Sequence, residues 1–186
     1  MPHEHLKFLG LLSVAVAVAA GAVLLRTWPK GKGFSISEHA GAQRRSYYLF
    51  LTVLIGDGFL FFLFMWRWFV PALRLPLGYM LLVLVGYLLQ VATAVIPHRG
   101  DHGRLARLHG LVAFSMAGIM AVLTGLLALT SHVSAFGRMV AAATFGFMTL
   151  FWYLFVFVKS TRRHFLVYQA AYIASFYVCI LAVSYL

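Results

Sequence analysis

Six apolar runs separated by short polar breaks constrain this chain more than any single motif does. The runs cover residues 6–25, 47–69, 77–96, 108–129, 136–158 and 164–186. Each is close to the roughly 20 residues that a helix needs to cross a hydrocarbon layer about 30 Å thick. In lipid the backbone must satisfy its own hydrogen bonds, which leaves helices and closed barrels as the spanning forms. Barrel strands are short and alternate polar with apolar residues, whereas these runs do not alternate. With 63% hydrophobic residues, against about 45–50% in an average soluble domain, the chain reads as an all-α polytopic membrane protein. The expected architecture is one six-transmembrane-helix bundle over residues 1–186, with no room for a separate soluble domain.

The first run carries the small-x-small triplet Ala17-Val18-Ala19, which resembles a signal-peptide cleavage site. Its apolar stretch exceeds the roughly 7–15 residues of a signal core, so a retained helix is expected. Loop one, residues 26–46, is longer than a helix connection requires, and loops of that length are usually functional or disordered. Phe34 and Ile36 alternate with serines there, pointing to an ordered segment at the membrane surface in which Ser37 would cap a short helix starting at Glu38. Pro97 stops the third run.

Lysine and arginine concentrate in the odd loops: Arg26, Lys30, Lys32, Arg44 and Arg45, then Arg99, Arg104 and Arg107, then Lys159, Arg162 and Arg163. The even loops and their flanks hold only Arg67, Arg74 and Arg138. The positive-inside rule therefore puts loops one, three and five in the cytoplasm and both termini outside, in a plasma or bacterial inner membrane. The net charge of +11 is spread between apolar runs and forms no basic domain with a stacking platform, which argues against a nucleic-acid partner. Anionic lipid headgroups are the expected partner of these basic loops, and the sequence names no protein partner. Cys179, alone and inside the last run, has no cysteine to pair with in the chain.

The loop from Ala94 to Gly110 holds three of the eight histidines and one of only four acidic residues. On one continuous helix His98, His102 and His109 would project within about 40° of each other, and three imidazoles can hold a zinc ion with an open position. Pro97, Gly100 and Gly103 work against that continuity. No cofactor is firmly implied, and zinc is the one to test. A nucleophilic triad would draw on Ser35, Ser37 or Ser46, with Glu38, Asp101 and the histidines as partners. No histidine lies mid-span, as haem carriage would need.

Asp57 is an intramembrane carboxylate, which by default marks function; flanked by Gly56 and Gly58, it could equally join helices. Counted from the odd-loop ends at 1.5 Å per residue, Asp57 lies about 15 Å deep, Gln90 and Ser115 about 10 Å, and Gln169 about 8 Å. The far halves of these runs are almost wholly apolar. Facing inward, the four residues would line one cavity open toward the odd loops. Its rim would carry Glu38, His39, Arg44, Arg45, His98, Arg99, Asp101, His102, Arg104, His109 and Arg163. An apolar floor beneath a cationic rim suits an amphiphile whose phosphate meets arginine. The leading expectation is therefore binding of a lipid or other amphiphile, with lipid remodelling or membrane organisation as its purpose, and with any reaction left open. The alternatives are a proton-coupled small transporter using Asp57 and a structural or assembly subunit.

The stretch Ser35-Ile36-Ser37-Glu38-His39-Ala40-Gly41 precedes an aromatic-rich run, Ala94-Val95-Ile96-Pro97 ends the third, and His109 opens the fourth. In these features the chain resembles the six-span family of damage-regulated autophagy modulators and GPI-anchor remodelling factors, with bacterial relatives. The resemblance implies a six-helix bundle engaged in lipid handling or membrane organisation, with no reaction attached. Members of that family are drawn with both termini cytosolic, opposite to the orientation that the charge asymmetry implies.

Overall fold

The computed structural model describes residues 4–31, 33–96 and 103–186, with the side chains of Lys159 and Arg162 excepted. His98, Arg99, Asp101 and His102 lie outside the described residues. Helices are the regular structure of the described residues, with no strand among them.

The six runs become helices α1 (Phe8–Thr27), α3 (Arg44–Phe64), α5 (Leu77–Val95), α6 (Arg104–Ala128), α7 (Ala135–Phe157) and α8 (Phe165–Tyr185). All six, with their short extensions, are long and apolar enough to cross a membrane, at mean hydropathies of 1.8 to 2.6. The shortest, α5 with 19 residues, is about 28 Å long at 1.5 Å per residue. Pro76 starts α5 from an extended conformation, consistent with the restricted backbone of proline.

Span two is longer than its apolar run because Arg44 already sits in the helix. After Phe64 it widens into a π turn, Met65–Phe69, and ends in the single turn α4 (Val70–Ala72). Pro71 has no N–H, and its ring would meet the Arg67 carbonyl in a regular helix. A widened turn spanning Arg67 relieves that clash. The connection to α5 then reverses at Arg74, whose φ of 51° is left-handed.

Neighbours in sequence are neighbours in space: α1 packs on α3, α3 on α5, α5 on α6, α6 on α7 and α7 on α8, which returns to α1. The buried apolar core occupies the halves of the helices nearest the even loops. Phe64, Phe69, Tyr79, Leu127, Ala141 and Ile180 are fully buried there. Lipid tails are as apolar as leucine, so close backbone approach and van der Waals contact hold such helices together. Gly10 illustrates this: a Cβ there would lie 3.0 Å from the Phe64 ring.

The odd-loop halves are held differently. The short helix α2 (Ile36–Ala40) lies across them as a strap. Its N-cap is Ser35, not Ser37 as expected from the sequence. The reason is a capping box: the Ser35 hydroxyl accepts from the Glu38 N–H at 3.2 Å, and the Glu38 carboxylate accepts from the Ser35 N–H at 2.7 Å. Reciprocal satisfaction of two helix-start donors fixes the start one turn before Glu38.

Candidate functional site

Three spans anchor the strap. The Gln169 side-chain oxygen on α8 accepts from the Ile36 N–H at 2.9 Å. The Ser46 hydroxyl on α3 lies 2.7 Å from the Ala40 carbonyl. His109 on α6 meets the Ser37 hydroxyl at 3.0 Å. These bonds leave Ser35, Ile36, Ser37 and Glu38 roofing a cavity of about 570 Å³. That volume lies within the roughly 300–1,000 Å³ of small-molecule sites.

The cavity is a pocket of the odd-loop half. Its walls come from the first part of α3 (Phe50, Leu54), the last turn of α5 (Thr93), most of α6, the end of α7 (Phe155) and the start of α8 (Ile173). Phe114 and Phe155 pack ring to ring at 5.2 Å, and Phe155 stacks on Phe165 at 4.3 Å, so the wall between α6, α7 and α8 is aromatic. Polar groups gather under the strap: Ser37, Glu38, His109 and Gln169, with Arg107 beside them. Arg107 is exposed, as a cation flanking a polar mouth would be.

The hydrogen bonds at this mouth define proton positions. His109 Nδ1 lies 2.8 Å from the Ile96 carbonyl oxygen. A carbonyl only accepts, so Nδ1 carries the proton and Nε2 of the neutral ring presents its lone pair. With the ring neutral and the Ser35 proton directed at the Glu38 carboxylate, the Ser37 hydroxyl has its one proton to give to Nε2. Ser35 Oγ stands 3.0 Å from Ser37 Oγ and 2.9 Å from the Glu38 carboxylate. Both serines and His109 are buried.

Of the residues singled out by sequence, Glu38, His109 and Gln169 border the cavity. Asp57, Gln90 and Ser115 do not, although their depths match that of Gln169. Asp57 faces away, toward α1 and α8, where it accepts from Ser13 at 2.7 Å and from Tyr177 at 3.3 Å. Gln90 donates to the Leu54 carbonyl at 2.8 Å and fits against Gly58, where a Cβ would come within 2.6 Å of its amide. Ser115 is on an exposed face of α6. His39 is buried and donates through Nδ1 to the Ser35 carbonyl at 2.8 Å, closing the strap on itself. Arg44, Arg45, Arg104 and Arg163 are exposed at the odd-loop end.

The zinc set combined His109 with His98 and His102, which are outside the described residues. Among the described residues no three His, Cys, Asp or Glu side chains are grouped to hold a metal, and both nitrogens of His109 have hydrogen-bond partners. Arg107 and Ser37 are the site residues that the cavity adds to the sequence-based rim.

The fold thus defines an all-α bundle with six helices long and apolar enough for a multi-pass membrane protein. Comparison with protein-family models, with curated proteins and with solved structures finds no match.

Proposed function

We propose that this chain is a multi-pass membrane protein that binds a lipid or lipid-like amphiphile in the cavity beneath the strap. The observation that carries this reading is the segregation of the cavity lining: aromatic and aliphatic walls below, and Ser37, Glu38, His109, Gln169 and Arg107 gathered at its strap end. An acyl or isoprenoid tail takes the walls, and a phosphate or other polar head meets Arg107 and the roof, with the exposed Arg44, Arg45, Arg104 and Arg163 adding attraction for anionic headgroups. The positive-inside rule puts this end on the cytoplasmic face of a plasma or bacterial inner membrane.

Asp57 supports a helix-joining role within this reading rather than proton coupling. Its carboxyl is satisfied by Ser13 and Tyr177 and stands apart from the cavity.

Native mass spectrometry of protein released from mild-detergent micelles tests the reading, with metal analysis on the same sample. The expected result is a retained phospholipid or lipid-linked species, with lower occupancy in Arg107→Gln. Bare protein, in a sample that keeps its helical content and melting transition, would contradict it.

A further inference from the structure

Ser37 and His109 are 72 positions apart in sequence, yet they meet in one geometry at the cavity mouth. The hydroxyl lies 3.0 Å from an imidazole nitrogen, to which it donates when the ring is neutral, and the other nitrogen is fixed by a backbone carbonyl at 2.8 Å. A nucleophile, a base in the correct tautomer and a group that orients the base are the parts of a serine acyl-transfer centre. Here the Ile96 carbonyl does the orienting that a carboxylate does in the serine-protease triad. We propose that Ser37 is the nucleophile and His109 the general base of an acyl-transfer site acting on an ester bond of an amphiphile held in the cavity. This rests on the amphiphile-binding reading.

The position of the pair is what separates it from a plain structural tie. A tie between strap and α6 has no need to border the cavity, but both side chains line it. They do so where the polar head of a seated amphiphile would meet its tail, which is where the ester of an acylated lipid lies.

The chemistry balances without any further reagent than water or an acceptor alcohol. Ser37 Oγ attacks the ester carbonyl carbon while its proton passes to His109 Nε2. The carbon–oxygen bond to the alcohol then breaks, and His109 returns that proton to the departing alkoxide, leaving acyl-Ser37 and a free alcohol. Water, or a second alcohol, loses a proton to Nε2 and attacks the acyl carbon. Ser37 Oγ departs and takes the proton back from His109, releasing a fatty acid or a new ester. Gln169 accepts the Ile36 N–H through its oxygen, so its NH₂ group is the donor it brings to the cavity wall, suited to the carbonyl oxygen as negative charge develops there.

The test uses the full chain in mild detergent, with a long-chain alkyl fluorophosphonate as probe and p-nitrophenyl palmitate as ester. The expected result is phosphonylation of Ser37, located by peptide mass spectrometry, with hydrolysis of the palmitate ester faster than that of the acetate. Ser37→Ala should lose both signals. His109→Gln retains an amide that can bond Ile96 and should lower kcat by about 100- to 10,000-fold, the range of general-base contributions. Melting temperature and retained lipid report whether each variant is folded.

Folded wild-type protein that retains lipid, yet shows no label on Ser37 and no hydrolysis above Ser37→Ala, overturns the proposal while sparing the binding reading. Loss of lipid retention as well removes both. Hydrolysis that persists in Ser37→Ala also overturns the proposal, as does hydrolysis abolished by chelation with Ser37 unlabelled.

Discussion

The two ends of this bundle are built from the same apolar vocabulary and reach opposite states. Toward the even loops, Phe64, Phe69, Tyr79, Leu127, Ala141 and Ile180 interlock with essentially no exposure. Toward the odd loops, the same helices stand around about 570 Å³ of space, held apart by a strap that hydrogen-bonds to α3, α6 and α8. Packing density organises one half and directed polar bonds organise the other. A membrane bundle gains little from burying apolar surface out of lipid, so a hollow half costs less here than it would in a soluble core, provided that its frame is tied.

The contrast can be broken most severely from the packed side. Phe64→Ala should destabilise the protein by about 3–5 kcal/mol, the range for large aromatic truncations in tight cores, seen as a lower denaturation midpoint. Gly110→Leu in the hollow half should keep or raise the midpoint. A Cβ at Gly110 meets no atom within 4 Å, and leucine favours a helix over glycine by roughly 0.5–1 kcal/mol. The same substitution should evict the proposed amphiphile, read as lost lipid in native mass spectrometry.

Smaller effects sharpen the boundary between the halves. Asp57→Ala strands the hydroxyls of Ser13 and Tyr177 and should cost about 1–3 kcal/mol, with lipid retention unchanged. Asp57→Asn should recover most of that loss, because an amide oxygen still accepts; an intact fold with abolished proton flux in Asp57→Asn would instead favour transport. Gly58→Ala should cost on the order of 1 kcal/mol, since the new methyl displaces the Gln90 amide from the Leu54 carbonyl. Tyr79→Phe should be the mildest. Its buried hydroxyl makes no hydrogen bond among the described residues, so removing it should leave the stability unchanged or raise it by up to about 1 kcal/mol.

The helix boundaries were largely legible in the sequence because lipid imposes length: runs near 20 residues, closed by Pro97 or opened after Pro76, allow few alternatives. Depth was legible too, but azimuth was not. Asp57, Gln90, Ser115 and Gln169 occupy comparable levels, and only Gln169 turns into the cavity. A helix surrounded by lipid is apolar on nearly every face, so the contrast between apolar and polar faces that reports the inward side of a soluble helix is missing. The strap was partly legible, since Ser35-Ile36-Ser37-Glu38 is a capping-box pattern. Assigning the cap to Ser35 rather than Ser37 would have left the Ser37 side chain available to reach another element. Its meeting with His109 had no local signal, because it depends on how α2 lies over α6.

The most direct test of the hollow half is where a lipid actually touches the protein. A phospholipid carrying a diazirine in its acyl chain, photolysed with the protein in vesicles and mapped by peptide mass spectrometry, supplies that contact. The account predicts crosslinks on the cavity wall, at Phe114, Phe155 and Ile173, that are lost in Gly110→Leu. Crosslinks confined to outward faces, at residues such as Leu111 and Val122, and unchanged by Gly110→Leu, would contradict it.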